Sequence, residues 1–152
     1  MRSFELNIFI DRPQREVYDH IAEPINMIGL QPLLTTIDIL KEQKDVDGVI
    51  LRPFYMLMTY RWLGLPVFKN KVNAAMHLTK PGTEMELHVV SRPGIQIVFH
   101  YIFQETDEGR THLIQKVRFE HVNKLLEGIV FSQASQTQRT LLANLKVRLE
   151  TN

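Results

Sequence analysis

Apolar and polar positions alternate along most of this chain, and the places where the alternation breaks divide it into elements. Residues 3–10 place Phe4, Leu6, Ile8 and Ile10 on one side and Glu5 and Asn7 on the other, which is the pattern of a half-buried strand. Asp11 then offers a helix cap, Pro13 suits a first turn, and Val17, Tyr18 and Ile21 form the buried side of a short helix ended by Pro24. A second short helical or turn-rich piece runs to about Pro32. From Leu34 the period is two, predicting strands at 34–44, 49–62, 68–80, 83–91, 95–106 and 110–120. Between them lie Asp47-Gly48, Gly64 with Pro66, Pro81-Gly82, Arg92-Pro93-Gly94 and Asp107-Glu108-Gly109, links so short that each strand must pair antiparallel with the next. After His121 the stretch to Glu150 lacks proline and is rich in Leu, Gln, Lys and Ala, which predicts one long helix. The expected fold is therefore α+β: a seven-stranded curved antiparallel sheet around a long C-terminal helix, with two short helices between the first two strands.

Turn length predicts which face of the sheet looks inward. Facing residues share a side, so a two-residue turn exchanges odd for even positions and a three-residue turn preserves them. Starting from Ile37 and Ile39 inside, the Asp47-Gly48 turn sends Phe54, Met56, Met58, Tyr60 and Trp62 inward. Pairing Trp62 with Phe68 adds Val72, Ala74 and Met76. Pro81-Gly82 then exchanges parity, giving Met85, Leu87 and Val89, and the later turns give Ile97, Phe99, Tyr101, Phe103, Leu113, Gln115, Val117 and Phe119. The side chains agree with this assignment at every step, since Lys71, Glu84, Glu86 and His88 fall outside.

This inward set is aromatic and rich in methionine. A solid core explains most of it, yet one sheet and one helix do not easily fill their own concavity. The helix itself suggests a hollow. Its apolar stripe is dense at Val122, Leu125, Leu126, Ile129 and Val130 and again at Leu141, Leu142, Leu145 and Leu149, while Ser132 to Thr140 offers only Ala134. A cavity and an open, wet end of the sheet both fit that gap. The expected lining is Met56, Met58, Tyr60, Trp62, Met76, Met85, Phe99, Tyr101 and Gln115 from the sheet, with Gln133 and Thr137 from the helix. Unbranched methionines repack around different guests, and the hydroxyl, indole and amide tips would orient one.

Composition narrows the chemistry. The 152 residues fit one domain, and 18 basic against 17 acidic residues, scattered without a run, argue against nucleic acid as a partner. No cysteine is present, which excludes disulfides, thiolate metal sites and a cysteine nucleophile. Charge enters by Glu5, so no signal peptide is expected, and no window reaches the roughly 18 apolar residues of a membrane span. A cytoplasmic monomer or homodimer without cofactor is the expectation. His77, His88, His100 and His112 fall on consecutive strands but point outward by parity, so no metal site is predicted. Asp11, Asp19, Glu23 and Asp38 fall at caps or on outer faces, which leaves Tyr60 and Tyr101 as the acid–base candidates for any catalysis.

The opening strand, the segment Arg12-Pro13-Gln14-Arg15-Glu16-Val17-Tyr18-Asp19-His20-Ile21-Ala22-Glu23-Pro24-Ile25-Asn26, the Gln31-Pro32-Leu33 step and the final helix together resemble the START-like, Bet v 1-like (SRPBCC) superfamily. Its polyketide cyclase/dehydrase and lipid-transport branch is the most similar. The likeness spans residues 1–152 as a single domain. It implies the helix-grip fold and a cavity for a hydrophobic ligand such as a lipid, polyketide or quinone. Some members of the superfamily cyclise or dehydrate the ligand and others only carry it, and no shared catalytic residue transfers. The tryptophan that many relatives carry after the second short helix is missing here, with Leu30 nearby instead. Three functions follow as alternatives: binding of a hydrophobic small molecule, a cyclase or dehydratase in the same cavity, or a protein-interaction module docking through the outer face or Leu63–Val67.

Overall fold

Strand-forming alternation dominates the chain, and the fold follows it closely. The computed structural model describes residues 2–62, 65–91 and 94–151, with the side chains of residues 60–69 outside that description. The strands are β1 (Ser3–Ile10), β2 (Leu34–Ile39), β3 (Gln43–Lys44), β4 (Ile50–Trp62), β5 (Leu65–Lys80), β6 (Glu84–Ser91), β7 (Ile95–Glu105) and β8 (Thr111–His121). They form one antiparallel sheet in the order β1-β8-β7-β6-β5-β4-β2, with β3 also on β4. The sheet thus has eight strands rather than seven, because the predicted strand 34–44 breaks at Leu40–Glu42 into β2 and the two-residue β3. Helix α1 (Gln14–Ala22) and a 3-10 turn (Pro24–Met27) follow β1, and α2 (Glu127–Glu150) closes the chain. No helix among the described residues is long and apolar enough to cross a membrane.

The predicted inner face is the buried face, although two of its parity changes occur elsewhere than expected. The hairpin at Asp47-Gly48 is a five-residue loop that pairs Lys44 with Ile50 and preserves parity. The exchange comes instead from the break between β2 and β3, after which Ile37 still faces Met56. Likewise Lys80 pairs with Glu84 across a three-residue loop, and a shift between His77 and Lys80 supplies the exchange that aligns Met76 with Leu87. Tyr60, not Trp62, pairs with Phe68, a displacement of two residues that keeps the same face. Ile39 departs from the pattern and is exposed, being the last residue of the edge strand.

Two further expectations change. Asp11 does not cap α1. Pro13 occupies that position, and the Asp11 N–H donates to Glu150 Oε2 at 2.7 Å. Helix α2 starts at Glu127 rather than at 121, because Asn123 folds a turn over its successors: its Oδ1 accepts from Leu125 N at 2.8 Å and its carbonyl from Leu126 N at 2.9 Å. Leu125 consequently stands in solvent.

Both ends of α2 are anchored. Near its start, Phe131 packs edge-on against Phe4 and Phe119, with ring centroids 5.5 Å away in each case. Toward its end, Arg148 donates to the carbonyls of Asn26 and Ile28, and Asn144 Nδ2 donates to that of Leu30 at 2.7 Å. These bonds hold the segment after α1 against the helix. Gly29 adopts φ +90° there, and a Cβ would come 2.9 Å from Arg148 Nη2, so the tight clamp requires glycine.

Candidate functional site

The space between sheet and helix is divided by one cross-strand row. Leu6, Gln115, Tyr101 and Met85 lie side by side across β1, β8, β7 and β6, and all four are buried. On one side of this row, Ile10, Leu113 and Phe103 from the sheet, Val17 and Tyr18 from α1, and Leu145 and Leu149 from α2 fill the interior. A small void of about 10 Å³ beside the row, bounded by His20, Met76, Tyr101, Leu141 and neighbours, has room for about one water.

On the other side the interior is hollow. A cavity of about 400 Å³ opens beneath β4 to β7, starting at Leu87 and Phe99 in the adjacent row. Met56, Met58, Val72, Val89 and Ile97 form its sheet wall. Across from them, α2 presents Val130, Gln133, Ala134, Thr137 and Gln138, and the segment after α1 closes one side with Met27, Gln31 and Leu33. The cause is local composition. Where α2 carries Leu142, Leu145 and Leu149 these side chains join the buried core, and where it carries Val130, Gln133, Ala134 and Thr137 it borders the cavity.

Of the residues predicted to line a pocket, the structure brings Met56, Met58, Phe99, Gln133 and Thr137 together around this cavity. Met76, Met85, Tyr101 and Gln115 do not join them. Met85 and Gln115 are fully buried in the dividing row, and Met76 and Tyr101 border only the small void. They share the inner face with the cavity residues, but Met76, Met85 and Tyr101 belong to the core cluster that holds the α2 leucines, and Gln115 is bonded to Gln138. The side chains of Tyr60 and Trp62 lie outside the described residues.

Gln138 is the polar residue that the sequence pattern hides. It is buried, lines the cavity, and its Oε1 accepts from Gln115 Nε2 at 2.9 Å. Its spacing to Leu141, Leu142 and Leu145 places it on their stripe, a signal that its polarity masks. Among the described residues Gln115 Oε1 has no hydrogen-bond partner, nor does the buried Oε1 of Gln31, whose Nε2 meets Met58 Sδ at 3.8 Å. Burial pushes the Tyr101 hydroxyl up to about 12, an effect that Gln115 beside it only partly opposes. A phenol held neutral within the dividing row is poorly suited to exchange protons with a guest in the cavity.

The histidines of β5 to β8 lie on the outer face. His88 Nε2 meets Glu86 Oε1 at 2.9 Å, His100 Nε2 meets Glu84 Oε1 at 2.8 Å, and His112 stacks on Phe9 and bonds Asn7 Oδ1. His77 and His88 sit with ring centroids 4.0 Å apart; burial, then the neighbouring His88, lowers the pKa of His77. No group of three or more His, Asp or Glu among the described residues is placed to hold a metal ion.

No family model matches the sequence, and no curated protein does. Solved structures match along its length. A protein from Thermus thermophilus is 12% identical with a TM-score of 0.73, covering 99% of this chain and 98% of its own. An aromatase/cyclase from Streptomyces is 14% identical with a TM-score of 0.70, covering 97% and 95%. A START superfamily protein from Mycobacterium smegmatis is 13% identical with a TM-score of 0.71, covering 98% and 97%. At such identities the likeness is one of fold.

Proposed function

We propose that this chain, which has the START-like helix-grip fold, binds a hydrophobic small molecule in the cavity between its sheet and α2. The observation that carries the proposal is the 400 Å³ hollow itself, walled by Met56, Met58, Val72, Phe99 and their neighbours. Its size lies within the range of ligand pockets, roughly 300–1,000 Å³. A guest gains about 25 cal/mol for each Å² of apolar surface withdrawn from water. The methionines accommodate its outline, because an unbranched thioether changes rotamer at little cost.

Carriage accounts for this site better than catalysis does. A cyclase or dehydratase needs a group that takes up and returns protons at the guest, and the described lining offers only amides, hydroxyls and apolar side chains. Nile red, an uncharged dye that brightens on leaving water, tests the proposal. The expected result is a saturable rise in its emission that Ala134→Phe abolishes by filling the hollow. No rise, or the same rise in the variant, refutes it.

A further inference from the structure

The cavity's electrical character restricts its guest. Among its described lining residues none is ionisable. Its polar groups are neutral, and most come from α2 (Gln133, Gln136, Thr137 and Gln138), with Gln31 in the segment after α1. On the sheet, Asn70 donates to Ser91 Oγ at 3.0 Å, and the other described lining residues there are apolar. A carboxylate or phosphate brought into such a space would surrender hydration and meet no cation among the described lining residues, a cost that a few amide dipoles do not offset. A hydroxyl or carbonyl faces no such cost, because each primary amide both donates and accepts.

The amides also have unused capacity. Gln31 is buried with its Oε1 unpartnered and its Nε2 meeting only a thioether sulfur. Gln138 spends its Oε1 on Gln115, and no described residue accepts from its Nε2. A buried polar atom left without a partner, as Gln31 Oε1 is among the described residues, is destabilising, and a correctly placed guest would relieve that cost.

We infer that the ligand is an uncharged, two-faced molecule, with hydroxyl or carbonyl groups along the edge that meets Gln31 and α2 and an apolar face against the sheet, and that amphiphilic anions such as fatty-acid carboxylates are disfavoured. This rests on the binding proposal and narrows it to one class.

Matched fluorescent probes test it. Pyrene, pyrenemethanol and pyrenecarboxylate share one ring system, and their affinities follow from fluorescence anisotropy near neutral pH. The alcohol should bind about tenfold or more tightly than the carboxylate. Gln133→Lys, at an exposed helix position that tolerates the change, should move the preference toward the carboxylate by supplying the missing cation. Gln31→Leu should weaken the alcohol several-fold while leaving pyrene unchanged. A carboxylate bound as tightly as the alcohol by the unaltered protein overturns the inference and leaves the binding proposal standing. Failure of all three probes to bind overturns both.

Discussion

The two halves of the interior are built from similar side chains and end differently. Met76 and Met85 are sealed in a solid core, whereas Met56 and Met58, on the same sheet face, border a hollow. Tyr101 is walled in while Phe99, two residues earlier on β7, meets open space. The sheet does not decide the difference; the opposing helix does. Over its last turns α2 buries Leu141, Leu142, Leu145 and Leu149, and over its first turns Phe131 packs on Phe4 and Phe119 while Val130, Ala134 and Thr137 face the hollow. Filling or leaving a cavity is therefore set by a few residues on a single element. The Gln115–Gln138 bond marks the border.

The largest effect is expected where the packing is densest. Leu145→Ala, at a fully buried position, should cost about 2–5 kcal/mol in urea denaturation, because the surrounding core collapses only partly into the gap. A loss below about 1 kcal/mol would mean that this half is not the solid core described.

At the border, Gln138→Leu should cost about 1–3 kcal/mol by leaving the Gln115 amide buried without its partner. Adding Gln115→Leu should restore much of that loss, since the orphaned group is then gone. Additive losses in the double variant would show that the two amides are not coupled.

In the hollow half the sign should reverse. Ala134→Leu should leave stability unchanged or raise it by about 1 kcal/mol, while weakening the uptake of Nile red. A destabilised variant would indicate that the space is already occupied by side chains.

The smallest effect concerns pH. His20 borders the small void and takes a hydrogen bond from Arg148 at 3.3 Å, and burial, then the Arg148 charge, lowers its pKa below the usual 6.5. The unfolded chain then binds a proton that the folded chain refuses. The contribution of His20 is complete above pH 6.5 and is lost as the pH falls below that value toward the depressed folded pKa. His20→Gln should flatten the stability profile in that window, and an unchanged slope would assign the effect to other groups.

Much of this architecture is legible in the chain. Alternation identifies the strands, and parity identifies the inner face from Phe54 to Phe119. That face survives two misplaced exchanges because burial of Met56 and Met76 enforces the register wherever the loops and bulges fall. The extent of the cavity is not legible from the sheet, since Met85 and Met58 are equivalent in pattern and differ only in what α2 lays over them. Gln138 escapes because a glutamine within a leucine stripe looks like an interruption until its partner, Gln115, is found across the interior. The start of α2 escapes for a local reason, as the Asn123 turn competes with a helix that composition alone would extend.

The methionines allow the central claim to be tested within one experiment. With the methyl carbons of all six labelled, NMR spectra recorded during titration with pyrenemethanol report on both halves at once. The account predicts that Met27, Met56 and Met58 shift progressively to saturation while Met76 and Met85 hold their positions. Shifts centred on Met76 and Met85, or none at saturating probe, would contradict it.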